Sequence, residues 1–410
     1  MDFLTGLYLF YSFLAFYSLF LFVLIYFQHR KELLLVPKIT KEYSVSCVIP
    51  CYNEEKSIGK TIKMLAENGY SNIKKIIAVD DCSTDNSFQV MKEYEKKYPG
   101  LVKAVQTPRN TGNAAGAKNY GSKFVDTDLV LFTDADSFPE KGAIKKMIGF
   151  FDEENTGAVT ASVFVKNRNN FLLRLQALEY IVIKFTRKLF EFIDAIYVTP
   201  GPLAMYRTKY FVKVGRFDEK NLTEDIEITW RILDAGYAVK MSIPSRVYSI
   251  APDKLKPWFK QRVRWNLGGV QAIFKHKNKF FKKGMLGYFV LPLFVSSWII
   301  GILGLGFLLY RGVRWAFSTY LTTTYSLHSS AAILSMNDIS LNPDILFIFG
   351  IILFVFSFLF TLVSIFHDKE KGFKNPRIVD ILAYTFFYLL TYPVLLVISV
   401  YKLLTKNFKW

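Results

Sequence analysis

The sequence of 410 residues predicts an α/β domain with a mostly parallel, doubly wound sheet, flanked by transmembrane helices. Three observations lead to this fold class. Apolar runs long enough to cross a membrane lie near both ends of the chain. The region between them alternates short β-rich runs with helical stretches. Acidic residues follow several of those runs, where open α/β sheets bind their ligands.

The composition indicates a membrane protein with anionic partners. Hydrophobic residues make up 51% of the chain and aromatic residues 17%, more than a soluble domain needs. The net charge of +18 implies phosphorylated substrates, anionic lipid or nucleic acid. The apolar content favours membrane lipids and phosphates, so no nucleic-acid partner is expected. Cys47, Cys51 and Cys82 lack a zinc-site spacing and are expected to be small buried thiols.

Residues 1–30 are predicted to form one transmembrane helix. The apolar run Phe3–Phe27 exceeds the ~7–15 residues of a signal peptide's apolar region. Arg30 and Lys31 follow it and place the next domain in the cytoplasm, in a multi-pass integral protein of the plasma membrane. The C-terminal membrane region, 286–410, carries about three spans: Leu286–Tyr310, Ile345–Phe366 and Ile378–Leu404. Val313–Met336 could be a further span, a re-entrant piece or an external loop.

Residues 38–250 are predicted to form the cytoplasmic domain. Its strands are "VSCVIPCYNE" from Val45, Lys74–Asp81, Val102–Thr107 and Leu129–Asp136, and its helices are Ser57–Glu67, Ser87–Lys97 and Asn113–Phe124. In a parallel sheet the carboxyl ends of such strands meet at one edge. Pro50, Asp80, Asp81, Asp134 and Asp136 are therefore expected together there.

The stretch "FTDADS" carries two carboxylates after the last of these strands. On an extended backbone Asp134 and Asp136 project to one side while Ala135 points away. Such a pair suits a hard divalent ion that also binds substrate phosphates, Mg²⁺ or Mn²⁺. A solvated loop with no function is the alternative.

Two other acidic stretches have both a structural and a functional reading. In "VDDCSTDNS", helix capping explains Ser83–Ser87 but not Asp80 and Asp81, one of which could accept a nucleobase N–H. In "NLTEDIEITW", Glu224 and Asp225 begin a helix, where the helix dipole also favours acidic residues. The functional reading makes one of these two carboxylates a general base that deprotonates an acceptor hydroxyl.

The segment 251–285 is predicted to lie at the membrane interface. In its "QRVRW" stretch, helical spacing puts Gln261, Arg264 and Trp265 on one face and turns Arg262 away. That face could bind a diphosphate and a sugar ring, or it could anchor the interface. Upstream, Phe171–Phe190 is a basic amphipathic stretch, which fits a helix on an anionic membrane surface or an ordinary domain helix.

The ordered set "IPCYNE", "VDDCSTDNS", "DAD", "TED" and "QRVRW" resembles the membrane-integrated, inverting family-2 glycosyltransferases, which include cellulose, hyaluronan and poly-N-acetylglucosamine synthases. The resemblance covers Tyr43–Gly269 and implies a GT-A type fold with Mg²⁺ or Mn²⁺. It implies nucleotide binding by Pro50, Tyr52, Glu54, Asp81, Lys118 and Asp134, metal binding by Asp134 and Asp136, catalysis by Asp225 with Glu224 beside it, and acceptor or diphosphate binding by Gly201, Gln261, Arg264 and Trp265.

The same resemblance implies a hexosyltransferase that uses a nucleotide-diphospho-sugar, with UDP-sugars favoured, and a glycan or lipid acceptor. A processive synthase of a β-linked polysaccharide is the first expectation. The alternatives are transfer of one sugar to polyprenyl phosphate or a glycolipid, and a non-enzymatic transporter with a nucleotide-sensing domain. "NTGNAAGAKN" departs from the lysine-bearing pattern of polymerising members.

Overall fold

The computed structural model describes residues 3–282, 284–329, 345–367 and 376–405. One eight-stranded sheet organises the domain, in the order β3-β2-β1-β4-β7-β6-β8-β5. Its strands are β1 Val45–Cys51, β2 Ile73–Asp80, β3 Val102–Gln106, β4 Leu129–Phe132, β5 Ser137–Pro139, β6 Thr156–Val165, β7 Ala204–Arg207 and β8 Ala238–Ser249. The α/β fold predicted from the sequence is confirmed.

The sheet is parallel where strands and helices alternate and mixed elsewhere. Strands β3, β2, β1 and β4 are mutually parallel, as predicted, and so are β6 and β8. Strands β7 and β5 pair only antiparallel to their neighbours. All residues of β1 and β4 are buried because helices cover both faces of the sheet, which accounts for their continuous apolar sequences.

In the described part of the chain the domain has eight α-helices: α2 Ile58–Ala66, α3 Ser87–Lys97, α4 Ala114–Ser122, α5 Lys145–Ile148, α6 Phe171–Glu191, α7 Thr208–Lys213, α8 Glu224–Asp234 and α9 Leu255–His276. The three helices predicted between the first four strands are α2, α3 and α4, and they begin and end within a few residues of their predicted positions. Strand β4 is shorter than predicted, since the chain leaves the sheet after Phe132 and turns at Ala135 and Asp136 into β5. This turn lifts Asp134 and Asp136 out of the sheet and beside the cavity described below.

The apolar ends of the chain form long helices: α1 Phe3–His29, α10 Leu291–Ser329, α11 Ile345–His367 and α12 Ile378–Leu404. In the described part of the chain, three helical stretches are long and apolar enough to cross a membrane: Ser12–His29, Leu286–Tyr325 and Ile378–Leu404. Phe354–His367 is a shorter apolar helix. The open question about Val313–Met336 is answered only in part: residues 313–329 continue α10 without a break, and residues 330–336 lie outside the described residues. The basic loop predicted between the last two spans lies mostly outside them as well.

Helix α6 joins the sheet to the membrane helices. It packs against β6 and β8 on one side and against α1, α11 and α12 on the other. Its cations Lys184, Arg187 and Lys188 are buried inside the fold, so they do not lie on the membrane surface. Of the two readings of the basic amphipathic stretch, a helix on an anionic membrane surface is therefore wrong, and a helix inside the fold is correct.

Candidate active site

One cavity of about 810 Å³ opens beyond the carboxyl ends of β1, β2 and β4. All of the residues to which the resemblance assigns a role line it: Pro50, Tyr52, Glu54, Asp81, Lys118, Asp134, Asp136, Gly201, Glu224, Asp225, Gln261, Arg264 and Trp265. They come from seven separate parts of the chain. Their convergence is what the position of ligand sites in open α/β sheets leads one to expect. Asp80, which the sequence placed at the same edge, does not line the cavity.

The end of the cavity nearest β1 and β2 presents Asp81 in a fixed orientation. Its carboxylate accepts hydrogen bonds from the Thr107 hydroxyl at 2.9 Å, the Thr111 backbone N–H at 3.0 Å and the Thr111 hydroxyl at 2.8 Å. Pro50 is the next-to-last residue of β1, and Tyr52, just after the strand, is half exposed. A buried carboxylate held by three donors is a rigid acceptor for a ligand N–H.

The middle of the cavity concentrates negative charge. Burial, and after it the nearby carboxylates of Asp134 and Glu54, raise the pKa of Asp136 to about 7. Gly201 packs so close that a Cβ there would lie 2.8 Å from Asp134 Oδ2, hence no other residue fits without a shift. Such crowding of carboxylates favours a bound cation.

The donor set fits a hard divalent ion that also takes oxygens from a substrate. Among the described residues, no group of three or more His, Cys, Asp or Glu side chains is arranged to hold a metal ion alone. Asp134 and Asp136 supply two carboxylates on one wall of the cavity. Magnesium and manganese ions are commonly held by one or two carboxylates together with substrate phosphates and water.

Lys118 forms an ion pair with Glu224, the first of the two adjacent acids Glu224 and Asp225. Its buried amine lies 2.8 Å from Glu224 Oε1 and 3.7 Å from Asp134 Oδ1. Burial alone would raise the pKa of Glu224, but the charge and hydrogen bond of Lys118 lower it below its usual value. Glu224 is therefore an ionised, paired carboxylate.

Asp225 has the opposite electrostatic environment. Burial, and after it the charge of Glu224, raise the pKa of Asp225 to about 6. Among the described residues its carboxylate accepts one hydrogen bond, from the backbone N–H of Ile226 at 2.9 Å. A buried acid with a pKa near neutrality and free lone pairs has the properties of a general base.

Helix α9 carries the "QRVRW" residues against the start of α8. Gly268 of α9 leaves no room for a Cβ beside Thr223, which precedes Glu224. Gln261, Arg264 and Trp265 face the cavity, and Arg264 Nη1 lies 3.4 Å from the carbonyl oxygen of Leu222. The charge of Arg264 acts on both Glu224 and Asp225. The shared face predicted for Gln261, Arg264 and Trp265 thus lies next to the predicted base.

Arg262 is fully buried and forms the centre of a network that we call the Arg262 cluster: Glu179, Arg262, Tyr388 and Tyr392. Arg262 Nε donates to Glu179 Oε1 at 2.9 Å, and the Tyr388 hydroxyl donates to Glu179 Oε2 at 2.7 Å. Tyr392 donates to the same carboxylate. The Arg262 guanidinium also lies 4.0 Å from the centre of the Trp265 ring. The cluster therefore links α6, α9 and the membrane helix α12 beneath the site.

Sequence reasoning missed the wall of the cavity nearest the membrane helices. That wall contains Tyr180, Lys184 and Arg187 of α6, with Tyr197, Phe294 of α10 and Tyr392 of α12. The cations spaced among the apolar residues of Phe171–Phe190 were the available signal. The sequence left open whether these cations lie on the membrane surface or inside the domain, because the partners of α6 are distant in sequence.

Comparison with known proteins agrees with this architecture. Residues 46–215 match the family described as Glycosyl transferase family 2. The chain is 29% identical over 382 residues to a probable glycosyltransferase, YdaM of Bacillus subtilis, with 89% of this chain and 85% of the relative covered. It is 27% identical over 307 residues to poly-beta-1,6-N-acetyl-D-glucosamine synthase of Staphylococcus aureus, covering 72% of this chain and 73% of the relative.

Among solved structures, the mannosyltransferase PcManGT from Pyrobaculum calidifontis, in complex with GDP-Man and Mn²⁺, has a TM-score of 0.60 at 15% sequence identity. The match covers 97% of this chain and 99% of that one, so the likeness of fold includes the membrane helices. The fold is of the GT-A type. The protein is a glycosyltransferase, and its residues 46–215 form a glycosyltransferase family 2 domain.

Proposed function

We propose that the protein transfers a sugar from a nucleotide-diphospho-sugar to an acceptor hydroxyl, with inversion at the anomeric carbon and dependence on a divalent metal. The observation that supports this most directly is the placement of Asp225. Its carboxylate, whose pKa is raised, lies in the same cavity as the Asp134–Asp136 pair and Arg264. A base and a diphosphate site in one cavity are what single-displacement transfer requires.

In the proposed step, Asp225 takes the proton of the acceptor hydroxyl. The acceptor oxygen forms a bond to the anomeric carbon, and the bond from that carbon to the nucleotide diphosphate breaks with its electron pair. Arg264 binds the departing diphosphate through its guanidinium. Gln261 and Trp265 orient the acceptor. Mg²⁺ or Mn²⁺, held by Asp134 and Asp136, would neutralise charge on the diphosphate.

The donor is proposed to be a UDP-sugar, with Pro50, Tyr52, Glu54 and Asp81 around the nucleoside and Lys118 at the inner end of the nucleotide site. The Pyrobaculum calidifontis neighbour was solved with GDP-Man and Mn²⁺, which supports a nucleotide-diphospho-sugar and a divalent metal here. The purified protein should therefore be incubated with UDP- and GDP-sugars in the presence of Mg²⁺ or Mn²⁺. Nucleotide release from none of these donors would contradict the proposal.

For the acceptor, we propose a growing β-linked polysaccharide first. The likeness to a poly-β-1,6-N-acetylglucosamine synthase supports this choice. Transfer of a single sugar to a lipid is the second candidate, because Phe294 of α10 and Tyr392 of α12 bring two membrane helices to the cavity wall. Sizing the product made from a labelled donor separates the two. A lipid-extractable product with one added sugar would overturn the polysaccharide proposal.

The metal assignment predicts the behaviour of Asp136→Asn. Loss of this ligand should weaken Mn²⁺ binding in the presence of UDP at least as much as loss of an outer-shell partner, by roughly 10- to 100-fold. Titration of the full chain with Mn²⁺, followed by electron paramagnetic resonance, measures this. Asp126→Asn is the control, because Asp126 is an exposed partner of Lys75 outside the cavity. Equal Mn²⁺ affinity in Asp136→Asn and wild type would show that Asp136 does not bind the metal.

A cytoplasmic position for the cavity is also proposed, on the basis of Arg30 and Lys31 after the first apolar run. The donor would then be taken from the cytoplasm while the acceptor meets it at the membrane.

A further inference from the structure

A second, apolar space adjoins the catalytic cavity. It is a groove of about 410 Å³ between α1 and α10, and it shares the side chains of Tyr197 and Phe294 with the cavity. Its other lining residues are Ala15, Ser18 and Phe22 of α1, Phe190 of α6, and Leu293, Ser296, Ser297, Trp298 and Ile300 of α10. We call it the α1–α10 groove. Both of these helices are long and apolar enough to cross a membrane, hence the groove lies where a lipid chain can enter it.

Arg187 of α6 lies on the cavity wall that leads to this groove. Its side chain is 6% exposed, and its Nε makes no hydrogen bond to any described residue. Burial lowers the pKa of Arg187, and the groups whose charges oppose this are Tyr197, Asp225 and Tyr180. Of these, only Asp225 is acidic in its ordinary range, and its pKa is raised. Arg187 is therefore a buried cation that has no partner of its own among the described residues.

A second cation extends the positive charge along this wall. Lys184 precedes Arg187 by one turn of α6 and is also buried at the cavity. A buried cation is costly to a fold unless an anion or hydrogen-bond acceptors meet it, and among the described residues this applies to Arg187. The place of Arg187 between the predicted base and an apolar groove defines the shape of a ligand: an anionic group, a nearby hydroxyl, and an apolar chain.

We propose that the acceptor is a phosphate-bearing lipid, whose phosphate binds Arg187, whose chain occupies the α1–α10 groove and whose head-group hydroxyl reaches Asp225. The inference rests on the transfer reaction proposed above and concerns the first sugar that is added; in a polysaccharide, each later sugar would be added to the sugar before it. The hydroxyl proton passes to Asp225, the hydroxyl oxygen bonds to the anomeric carbon, and the nucleotide diphosphate leaves. The phosphate of the lipid is bound and is not consumed.

A photolabelling experiment on the full chain in nanodiscs tests this without turnover. The probes are a diazirine-bearing hexadecyl phosphate and the matching uncharged hexadecanol. The phosphate probe should label peptides of α1 and α10 far more than the alcohol does. Arg187→Gln should reduce its labelling roughly tenfold or more, to the level of the alcohol. Arg187→Lys should keep part of it, because the charge remains.

The matched control is Arg174→Gln, on the same helix. Arg174 is already paired with Asp380 of α12, at 3.1 Å, and does not line the cavity. Its substitution should leave labelling by both probes unchanged. Ala15→Trp, which fills the groove, should abolish labelling by both probes while UDP binding persists. Equal labelling by the two probes, or full labelling of Arg187→Gln, would overturn the inference.

Two further readouts separate the possible failures. A buried cation without a partner destabilises a fold, so the melting temperature of Arg187→Gln should equal or exceed that of the wild type. A lower melting temperature would indicate a structural role and would also overturn the inference. Nucleotide release is measured on the same preparations. If nucleotide is released but Arg187→Gln is labelled as strongly as the wild type, only the acceptor assignment fails. If no donor is turned over, the proposed function fails.

Discussion

Replacing Asp225 by asparagine is expected to lower turnover by about three orders of magnitude, within the range of general-base contributions. The amide has the same shape, so the cavity and the nucleotide site should remain intact. It cannot accept the proton of the acceptor hydroxyl. UDP affinity, measured by calorimetry, should stay within twofold of the wild type. Single-turnover transfer measured with a labelled donor should lose nearly all of its rate.

The pH dependence provides an independent check of the same assignment. A base works in its deprotonated form, and the pKa of Asp225 is raised to about 6. The wild-type rate should therefore rise about tenfold per pH unit below 6 and level off above it, whereas Asp225→Asn should lack this limb.

Asp234→Asn, at the other end of the same helix and paired with Lys279, should keep the wild-type profile. More than a tenth of the activity remaining in Asp225→Asn would refute its role as the base.

Glu179→Gln is expected to destabilise the protein by about 3–5 kcal/mol, as is usual when one partner of a buried ion pair is removed. Glu179 and Arg262 are both buried, and the substitution leaves the guanidinium of Arg262 without a counter-charge. Thermal unfolding of the full chain in detergent, followed by tryptophan fluorescence, should show a lower melting temperature. Tyr392→Phe should cause a smaller decrease, because it removes one hydrogen bond and no charge.

A double substitution distinguishes a broken ion pair from poor packing. Glu179→Gln combined with Arg262→Met removes both charges and should recover part of the lost stability. If the effects of the two single substitutions merely add, the pair is not coupled. Because Arg262 also lies under the Trp265 ring, Glu179→Gln should raise the KM for the acceptor more than the Kd for UDP. Equal changes in both would contradict this positioning role.

The sequence predicted the part of the fold from β1 to β4, where local sequence signals and the pairing rules for parallel strands lead to the same arrangement. The run from β1 to β4 alternates with helices, so hydrophobic periodicity and turn residues place the elements, and the parallel rule places their ends together. Asp81 and Asp134 could be assigned to one cavity for this reason. The helix start at Glu224 was also readable, because Thr223 and two acids mark it.

The remaining features depend on contacts between residues far apart in the chain. The sequence around Phe171–Glu191 contains no signal that α11 and α12 pack against this helix, because those helices begin more than 150 residues later. The sequence alone therefore could not decide whether Lys184 and Arg187 lie on the membrane surface or inside the domain. The partner of Arg262 was unreadable for the same reason: Glu179 lies 83 residues before it, and the tyrosines of α12 lie more than 200 residues after Glu179. Local patterns carry no information about such pairs.

The position of α6 has a consequence for how this protein can be divided. Asp380 of α12 pairs with Arg174, and Ile365 and Ile381 of the membrane helices share a core with Leu178 and Ile181 of α6. Together with the Arg262 cluster, these contacts make the membrane helices part of the wall and support of the site. The boundary near residue 285 separates two kinds of sequence but not two folding units. A domain excised before residue 285 would lack the part of the cavity wall that α10 and α12 supply. Replacing these helices by an unrelated membrane anchor would therefore replace part of the active site.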